Sequence, residues 1–236
     1  MSDPEQEEGL AANREDVERY RVYADWLEEQ GDPRAAVVRT ALEAREAPPR
    51  SRKQARVARE AREAYMAALH PDLVLASEDS MGWHLGFVHE LSLRGLSGEA
   101  LSRGVDFLRA PVCRLLWKLD ATGVSPLDLA EVSVARHLER LTLNMTKVED
   151  LTPLRRLSTL RSLEVAFCPV RDLTPLADLP LLHLHLMGTK VTDISPLESL
   201  TTLTSLVLTN TGIGDRAVAS LKKAVPALKK RGAILR

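Results

Sequence analysis

The sequence predicts an α/β solenoid with a parallel β-sheet on its concave face, short helical or 3₁₀ turns on its convex face, and a helical module capping its N-terminal end. Two observations carry the prediction of a solenoid. One sequence pattern occurs four times between residues 138 and 213. The aliphatic residues that fill one of its slots lie 22, 21 and 22 residues apart, at Val148, Val170, Val191 and Ile213.

The first half of each copy has the alternation of a β-strand with one buried face, as in Leu141-Thr142-Leu143. Successive side chains of a strand point to opposite sides, so the leucines share one face. The full pattern reads L-x-x-L-x-L-x-x-T-x-V-x-D-L-x-P-L-x-x-L. No single copy can bury its own leucines, and only stacked neighbours complete the core. The period and the pattern together are typical of a leucine-rich-repeat solenoid.

The bend after each strand is filled by a small side chain, at Thr146, Cys168, Thr189 and Thr211. We expect these side chains to turn inward and to bond backbone groups, because an unpaired buried polar group costs about 1–3 kcal/mol. A cysteine bonds only weakly in this role. Cys168 is therefore interpreted as a small buried filler and not as a reactive thiol.

The second half of each copy contains a Thr-Pro or Ser-Pro pair, beginning at Thr152, Thr174 and Ser195. Such a pair predicts an N-cap followed by the first residue of a short helical or 3₁₀ turn. Aspartates recur just before these turns, at Asp150, Asp172, Asp193 and Asp215. A row of cation sites would need the same residues, but turn formation and pairing with the helix dipole explain them more simply.

The D-[LI]-x-P-L segment of these copies resembles the short bacterial leucine-rich repeats of the internalin type. The resemblance extends through three full repeats and covers about a third of the chain. It implies a curved interaction surface and no particular chemistry.

Residues 1–12 are predicted to form a disordered acidic tail, and residues 13–80 a helical module of about three helices that begin near Asn13, Asp32 and Ser51. The third helix is rich in arginine, which predicts a solvated face, with phosphate binding as the alternative. Its basic residues are Arg50, Arg52, Lys53, Arg56, Arg59 and Arg62.

The segment YADWLEEQGDPRA, from Tyr23 to Ala35, resembles the core of a short repeat-companion domain found at the head of many bacterial repeat proteins. The resemblance implies a helical module paired with repeats. We interpret its polar residues as structural: Gly31 and Asp32 form a turn, and Asp25 or Arg34 closes a helix end.

Residues 81–236 are predicted to form the leucine-rich-repeat domain. GWHLGFVHELSL, which ends at Leu93, is interpreted as a first, atypical strand, and residues 216–230 as a capping helix. Lysines in the second half of that helix, together with Arg231, suit the helix dipole, and a basic patch for an acidic partner is the alternative.

Composition excludes several classes of protein. The chain of 236 residues has a net charge of −1, with 44% apolar and 28% charged residues, as in a soluble globular protein. No apolar run is long enough for membrane insertion, and the acidic start lacks the features of a signal peptide, so we expect a cytoplasmic protein.

Neither half of the chain is strongly basic, which argues against nucleic acid as a partner. The oligomeric state stays open, with a monomer as the expectation.

The strand residues that point away from the core form the predicted concave face, which we expect to bind a protein partner. The predicted contact residues are Arg94, Lys118, Arg140, Thr142, Asn144, Glu164, His183, His185, Met187 and Val207. The register also assigns Leu116 to this face. Aromatic, Met and Arg contacts are enriched at the centres of such interfaces.

No catalytic constellation, phosphate-binding loop or cofactor motif is visible, so the sequence predicts a non-catalytic scaffold or adaptor without a cofactor. Two alternatives stay open. In the first, the protein regulates a signalling enzyme or small GTPase. In the second, His183, His185 and Glu164 bind zinc in an enzyme, because two imidazoles and a carboxylate can hold zinc with an open position for water.

Overall fold

A computed structural model describes residues 3–48, 51–73, 75, 77, 80–230 and 232–235. Its centre is one sheet of eight strands that follow one another in chain order. The strands are β1 Met81–His84, β2 Phe87–Ser92, β3 Lys118–Asp120, β4 Arg140–Thr142, β5 Ser162–Glu164, β6 His183–His185, β7 Ser205–Val207 and β8 Ile234–Leu235.

The strands from β2 to β8 are parallel and stay in register. Their central leucines, such as Leu141 and Leu163, pair directly and are almost fully buried. These leucines join the turn residues of the convex side in one continuous core, which confirms the predicted leucine-rich-repeat solenoid. Leu116 belongs to this core as well, with no exposed surface, so its assignment to the concave face is wrong.

The convex side is built from short helices and turns. They are α5 Gly98–Phe107, α6 Leu129–Val132, α7 Asp215–Ala224, and 3₁₀ turns at Pro111–Cys113, Thr152–Arg156, Thr174–Leu176, Ser195–Ser199 and Pro226–Lys229. The predicted capping helix over 216–230 is interrupted at Val225, whose backbone leaves the helical conformation (φ −117°, ψ 88°). Pro226 causes the break, because a proline disfavours the helical conformation of the residue before it and has no N–H to donate. Arg231 lies outside the described residues.

The first strand of the solenoid is a β-hairpin and not the single strand predicted. β1 and β2 are antiparallel, joined by Leu85 and Gly86, which both have positive φ (45° and 88°). Two successive residues with positive φ match the twist of a tight hairpin. Glycine adopts this backbone at little cost, so Gly86 makes the turn possible.

The N-terminal module consists of α1 Pro4–Ala12, α2 Val17–Glu29, α3 Arg34–Glu46 and α4 Arg52–Leu69. The prediction of a disordered tail is wrong for residues 3–12. Asp3 caps α1 by accepting from the N–H groups of Glu5 and Gln6, and Leu10 is 1% exposed. Met1, Ser2 and the predicted basic residue Arg50 lie outside the described residues.

Two predicted helix boundaries need correction. Asp16, and not Asn13, caps α2, because its side chain accepts from the Arg19 N–H. α3 begins at Arg34 with Pro33, and not Asp32, at the N-cap position. The Asp32 side chain still accepts from the Arg34 N–H at 2.9 Å, just after the turn at Gly31. Among the helices of the described chain, none is both long and apolar enough to cross a bilayer.

The module packs against the β1–β2 hairpin. A core of Tyr20, Tyr23, Leu27 and Val38 meets Phe87 of the hairpin. Val37 of α3 and Tyr65 of α4 join the core of the solenoid itself. The helices therefore close the end of the leucine core that β1 begins.

Candidate functional site

The strands present two rows of side chains to solvent on the concave face. The first row runs Glu90, Lys118, Arg140, Ser162, His183 and Ser205, and the second runs Ser92, Asp120, Thr142, Glu164, His185 and Val207. Seven of the ten predicted contact residues lie on these rows. Arg94, Asn144 and Met187 follow β2, β4 and β6 and continue the same face.

Hydrogen bonds and ion pairs order the middle of this surface. Lys118 Nζ lies 2.7 Å from Glu90 Oε2. Asn144 Nδ2 donates to Glu164 Oε2 at 2.9 Å, and Asn144 Oδ1 accepts from the Ala166 N–H at 2.8 Å. Because these polar groups are already paired across neighbouring repeats, the face offers a partner a preorganised surface.

The structure brings His185 Nδ1 within 4.0 Å of Glu164 Oε2. It does not gather His183, His185 and Glu164 into a metal-binding group. Within the described part of the chain, no three His, Cys, Asp or Glu side chains come close enough together to hold a metal ion. The zinc hypothesis therefore has no support in the geometry.

The N-terminal module contributes a flank of the concave face that the sequence did not predict. Arg14 Nη2 bonds Glu139 Oε1 at 2.7 Å, although 125 residues separate them. The Arg14 guanidinium lies 4.9 Å from the ring of Trp117, and that of Arg140 lies 5.4 Å from the same ring. Cation–π contacts of this kind hold the predicted contact residue Arg140 in place.

Two histidines stack beneath this flank. The rings of His84 and His89 are 4.8 Å apart. Burial, together with smaller contributions from the neighbouring His84 and Arg14, lowers the pKa of His89 to about 3. His89 is consequently neutral at physiological pH and serves as part of the packed junction.

A second feature missed by the sequence is a column of left-handed residues at the carboxyl ends of the strands. Its members are Gly95, Gly123, Met145, Phe167, Gly188 and Asn210, all with φ between 56° and 74°. Met145 is 59% exposed and Phe167 52%. Left-handed backbone is an outlier for bulky residues. Gly188 and Asn210 occupy the same slot of their repeats and adopt positive φ readily, so they were the sequence signal that could have indicated the left-handed backbone.

The bend after each strand is closed as expected, and Cys168 takes part in it. Thr189 and Thr211 donate their hydroxyls to the carbonyls of Leu186 and Leu208, at 2.7 and 2.6 Å. Cys168 is buried, and its Sγ lies 3.0 Å from the Leu143 carbonyl. The thiol thus bonds to the adjacent coil in addition to filling space. The other cysteine, Cys113, is fully buried, and burial raises the pKa of its thiol.

The recurring aspartates cap the 3₁₀ turns. Asp150, Asp172 and Asp193 each accept, at 2.8 Å, from the N–H two residues further on. The predicted Thr and Ser N-caps are therefore wrong. Thr152, for example, is the first residue of its turn, and Leu151 occupies the N-cap position.

These caps predict that acid weakens the solenoid. Hydrogen bonds from the side chain and backbone of Thr152 lower the pKa of Asp150, and the pKa values of Asp172 and Asp193 are lowered in the same way. A carboxyl with a lowered folded-state pKa stabilises above its unfolded value, and this contribution is lost as pH falls through the folded value. We expect the melting temperature to fall from about pH 5 to about pH 2, and to fall less in D150N/D172N/D193N. Identical pH profiles for the two proteins would contradict the assignment.

The Tyr23–Ala35 segment builds a buried ion-pair network, a role beyond the helix-end closure predicted for Arg34. Arg34 has no exposed surface, and its Nη2 lies 2.7 Å from Asp32 Oδ2. Its Nη1 lies 3.8 Å from Glu7 Oε1 and 3.4 Å from the Pro111 carbonyl. Burial alone would raise the pKa of Asp32, but the hydrogen bonds from Arg34 outweigh it and leave that pKa lowered.

The ion-pair network contacts the solenoid at Pro111, through Arg34, and also at Arg114. Tyr23 donates its hydroxyl to Glu7 Oε1 at 2.7 Å, and Arg114 Nη1 lies 2.9 Å from the same oxygen. Glu7 of α1 is thereby shared between the module and the turn before β3. Tyr23, Asp32 and Arg34 of the motif thus join two parts of the fold.

Comparisons with known proteins give one sequence match and several structural ones. Residues 199–222 match a family model described as a leucine-rich repeat. No curated protein matches the sequence. An internalin C2 from Listeria monocytogenes is 28% identical over 63% of this chain and 60% of its own, with a TM-score of 0.48. A second Listeria internalin is 27% identical over 58% of this chain and 46% of its own, with a TM-score of 0.43.

A leucine-rich-repeat protein from Leptospira interrogans is 22% identical over 49% of this chain and 31% of its own, with a TM-score of 0.44. The chain thus spans less than two thirds of the length of each of these three proteins.

Proposed function

We propose that this leucine-rich-repeat protein is a scaffold that binds a protein partner on the concave face of its solenoid. The observation that carries the proposal is the ordered concave surface itself. Solvent-facing residues of neighbouring repeats lie in register, and pairs such as Asn144–Glu164 are already bonded to each other. A surface that needs little reordering loses less conformational entropy on binding.

The composition of the face supports a protein as the partner. Cationic, acidic and apolar side chains alternate over a short distance, as with Arg140, Glu164 and Met187. A partner must match all three kinds of group, which gives selectivity through charge complementarity and through the penalty for mismatched neighbours. In the described chain no group of metal ligands accompanies them.

The proposal is tested by capture from native lysate, read by mass spectrometry. The wild type is compared with R140A/E164A/H183A/H185A, four substitutions on the two concave rows. Because all four side chains are at least partly solvent-exposed, circular dichroism is expected to show an unchanged fold. We expect one partner to be captured by the wild type and lost by the variant.

The matched control is R155A/D178A/T201A/R216A, which changes four exposed residues away from the concave strands. It is expected to retain the partner. If the concave variant retains the partner as well, the binding surface lies elsewhere and the proposal fails. Adding the isolated partner and measuring its turnover then separates a tether from a regulator.

A further inference from the structure

The starts of β4 and β5 carry a basic edge, defined as Arg136, Arg140 and Arg161. Hydrogen bonds hold these repeats together: the Arg161 N–H donates to the Glu139 carbonyl at 2.9 Å, and the Thr159 hydroxyl donates to the Arg136 carbonyl at 3.0 Å. All three arginines are exposed. None is ion-paired with a carboxylate of the described residues.

The carboxylate next to Arg140 in the sequence is already engaged. Glu139 stands directly before Arg140, and the Arg14 guanidinium binds it at 2.7 Å. Trp117 fixes the guanidinium of Arg140 from below. The basic edge consequently carries positive charge that no ion pair of the described residues neutralises, and Arg140 is held in a defined position. Such a charge favours an anionic partner group.

The ends of the same two strands carry an apolar ridge, defined as Met145 and Phe167. Both residues combine exposure above one half with a φ of 58°. A Cβ at Gly188 would stand 2.6 Å from Phe167 Cδ1, so the ring lies across the next repeat at a place that only glycine leaves open. An exposed aromatic ring supported from below is the type of residue that dominates protein interfaces.

The left-handed backbone at these two residues works against stability. Holding a non-glycine residue in this region is unfavourable, and such outliers cluster at binding sites. The equivalent slot holds Gly123, Gly188 and Asn210 in other repeats, residues that adopt the conformation more readily. The bulky side chains are therefore not explained by the local backbone, whereas a contact role explains them.

The basic edge and the apolar ridge lie at opposite ends of the same two strands. Arg140 precedes Met145 by five residues, and Arg161 precedes Phe167 by six. A chain advances at most about 3.3–3.6 Å per residue, so the two ends are separated by at most about 16–22 Å. Polar residues such as Thr142 and Asn144 lie between them.

We propose that β4 and β5 form a two-ended docking site for an extended segment of a protein partner. The segment carries carboxylates that meet the basic edge and, five or six residues away, an aromatic or long aliphatic side chain that meets the apolar ridge. This inference rests on the proposed function and specifies the chemistry of the partner.

The probe is a fluorescein-labelled peptide with a Glu-Glu-Asp cluster, a Gly-Ser-Gly-Ser spacer and a Leu-Phe end, made in both chain directions. A second peptide replaces Leu-Phe with Ser-Ser. Binding is measured by fluorescence polarisation. We expect the full peptide to bind at least about tenfold more tightly than the Ser-Ser peptide. Its affinity is expected to fall as salt rises from about 0.05 M to about 0.2 M.

Two double variants locate the two ends. R140E/R161E is expected to weaken both peptides by at least about tenfold. M145N/F167N is expected to weaken only the full peptide, to the level of the Ser-Ser peptide. Its melting temperature is not expected to fall, because asparagine occupies the same slot at Asn210. Loss of binding by this variant is then a loss of contact and not of fold.

The control is R155E/R156E, which reverses two exposed arginines of the neighbouring 3₁₀ turn. The proposal is overturned if this control weakens binding as strongly as R140E/R161E, or if neither peptide direction binds at about 1 mM. Tighter binding of a single-stranded DNA of equal charge, with no dependence on Met145 and Phe167, also overturns it. If the peptides fail while the lysate partner still depends on the concave face, the proposed function stands and only the segment chemistry falls.

Discussion

Replacing Arg34 with methionine is expected to lower the free energy of unfolding by about 3–5 kcal/mol. The guanidinium is fully buried and is paired with Asp32 and Glu7. Methionine fills a similar volume but leaves Asp32 without its cation, and Glu7 with Arg114 as its remaining cation, in a place with little water. Removal of one partner from a buried pair is costly for this reason, even where the intact pair contributes little net stability. Urea denaturation followed by circular dichroism measures the change.

Arg39→Met is the matched control. Arg39 lies on the same helix, α3, and pairs with Asp25 at 2.8 Å, but its side chain is 41% exposed. An exposed pair of this kind contributes about 0–1 kcal/mol, because water and salt screen it. A loss for Arg34→Met that is no larger than the loss for Arg39→Met would show that the network is not held by Arg34.

Replacing Gly86 with alanine is expected to cost about 3 kcal/mol of stability. The methyl group would stand 2.7 Å from Cα of Val38 and 2.8 Å from its backbone nitrogen. These are backbone atoms of α3, so the hairpin and the helix must move apart. A second contribution comes from the φ of +88°, which is unfavourable for any residue with a Cβ. Denaturation midpoints at constant slope give the change in stability.

Gly31→Ala isolates the second contribution. Gly31 has a φ of +65°, and no atom lies within 4 Å of the position of its added Cβ. We expect it to cost about 1 kcal/mol, the penalty of the backbone alone. The difference between the two variants measures how tightly the N-terminal module is seated on the hairpin. Equal losses would mean that α3 yields freely at Val38.

Much of the solenoid is readable from the sequence because its rules are local and repeated. The leucines that pair across strands, such as Leu141 and Leu163, are set by a period of two within a repeat and by the repeat length between them. The same register placed His183, His185 and Glu164 on the solvent side. One repeat, once understood, predicts the next.

The features that escaped prediction depend on residues far apart in the chain. α1 looks too polar to fold, but Glu7 gains Tyr23 and Arg114 as partners only in the assembled structure. Arg14 reaches Glu139 across 125 residues for the same reason. Helical propensity cannot report such contacts.

The left-handed column escaped prediction for another reason. Phe167 has no local preference for a positive φ, and the stacked coils impose that backbone on it. Leu85 in the hairpin turn is a similar case, since Gly86 alone signals the turn. Backbone conformation at these positions is inherited from the neighbours and not encoded by the residue itself.

At most positions of a protein, a residue must suit both the backbone conformation and the packing of the core. In the left-handed column these two requirements are separate. Its backbone is fixed by the coils on either side, while its side chains project outward and leave the leucine core untouched. A change from Gly123 or Asn210 to a larger residue would alter the outline that the protein shows to its surroundings, at the cost of local backbone strain alone. Specificity can thus diverge one repeat at a time while the scaffold is retained, which makes this column a natural starting point for evolving or engineering new selectivity.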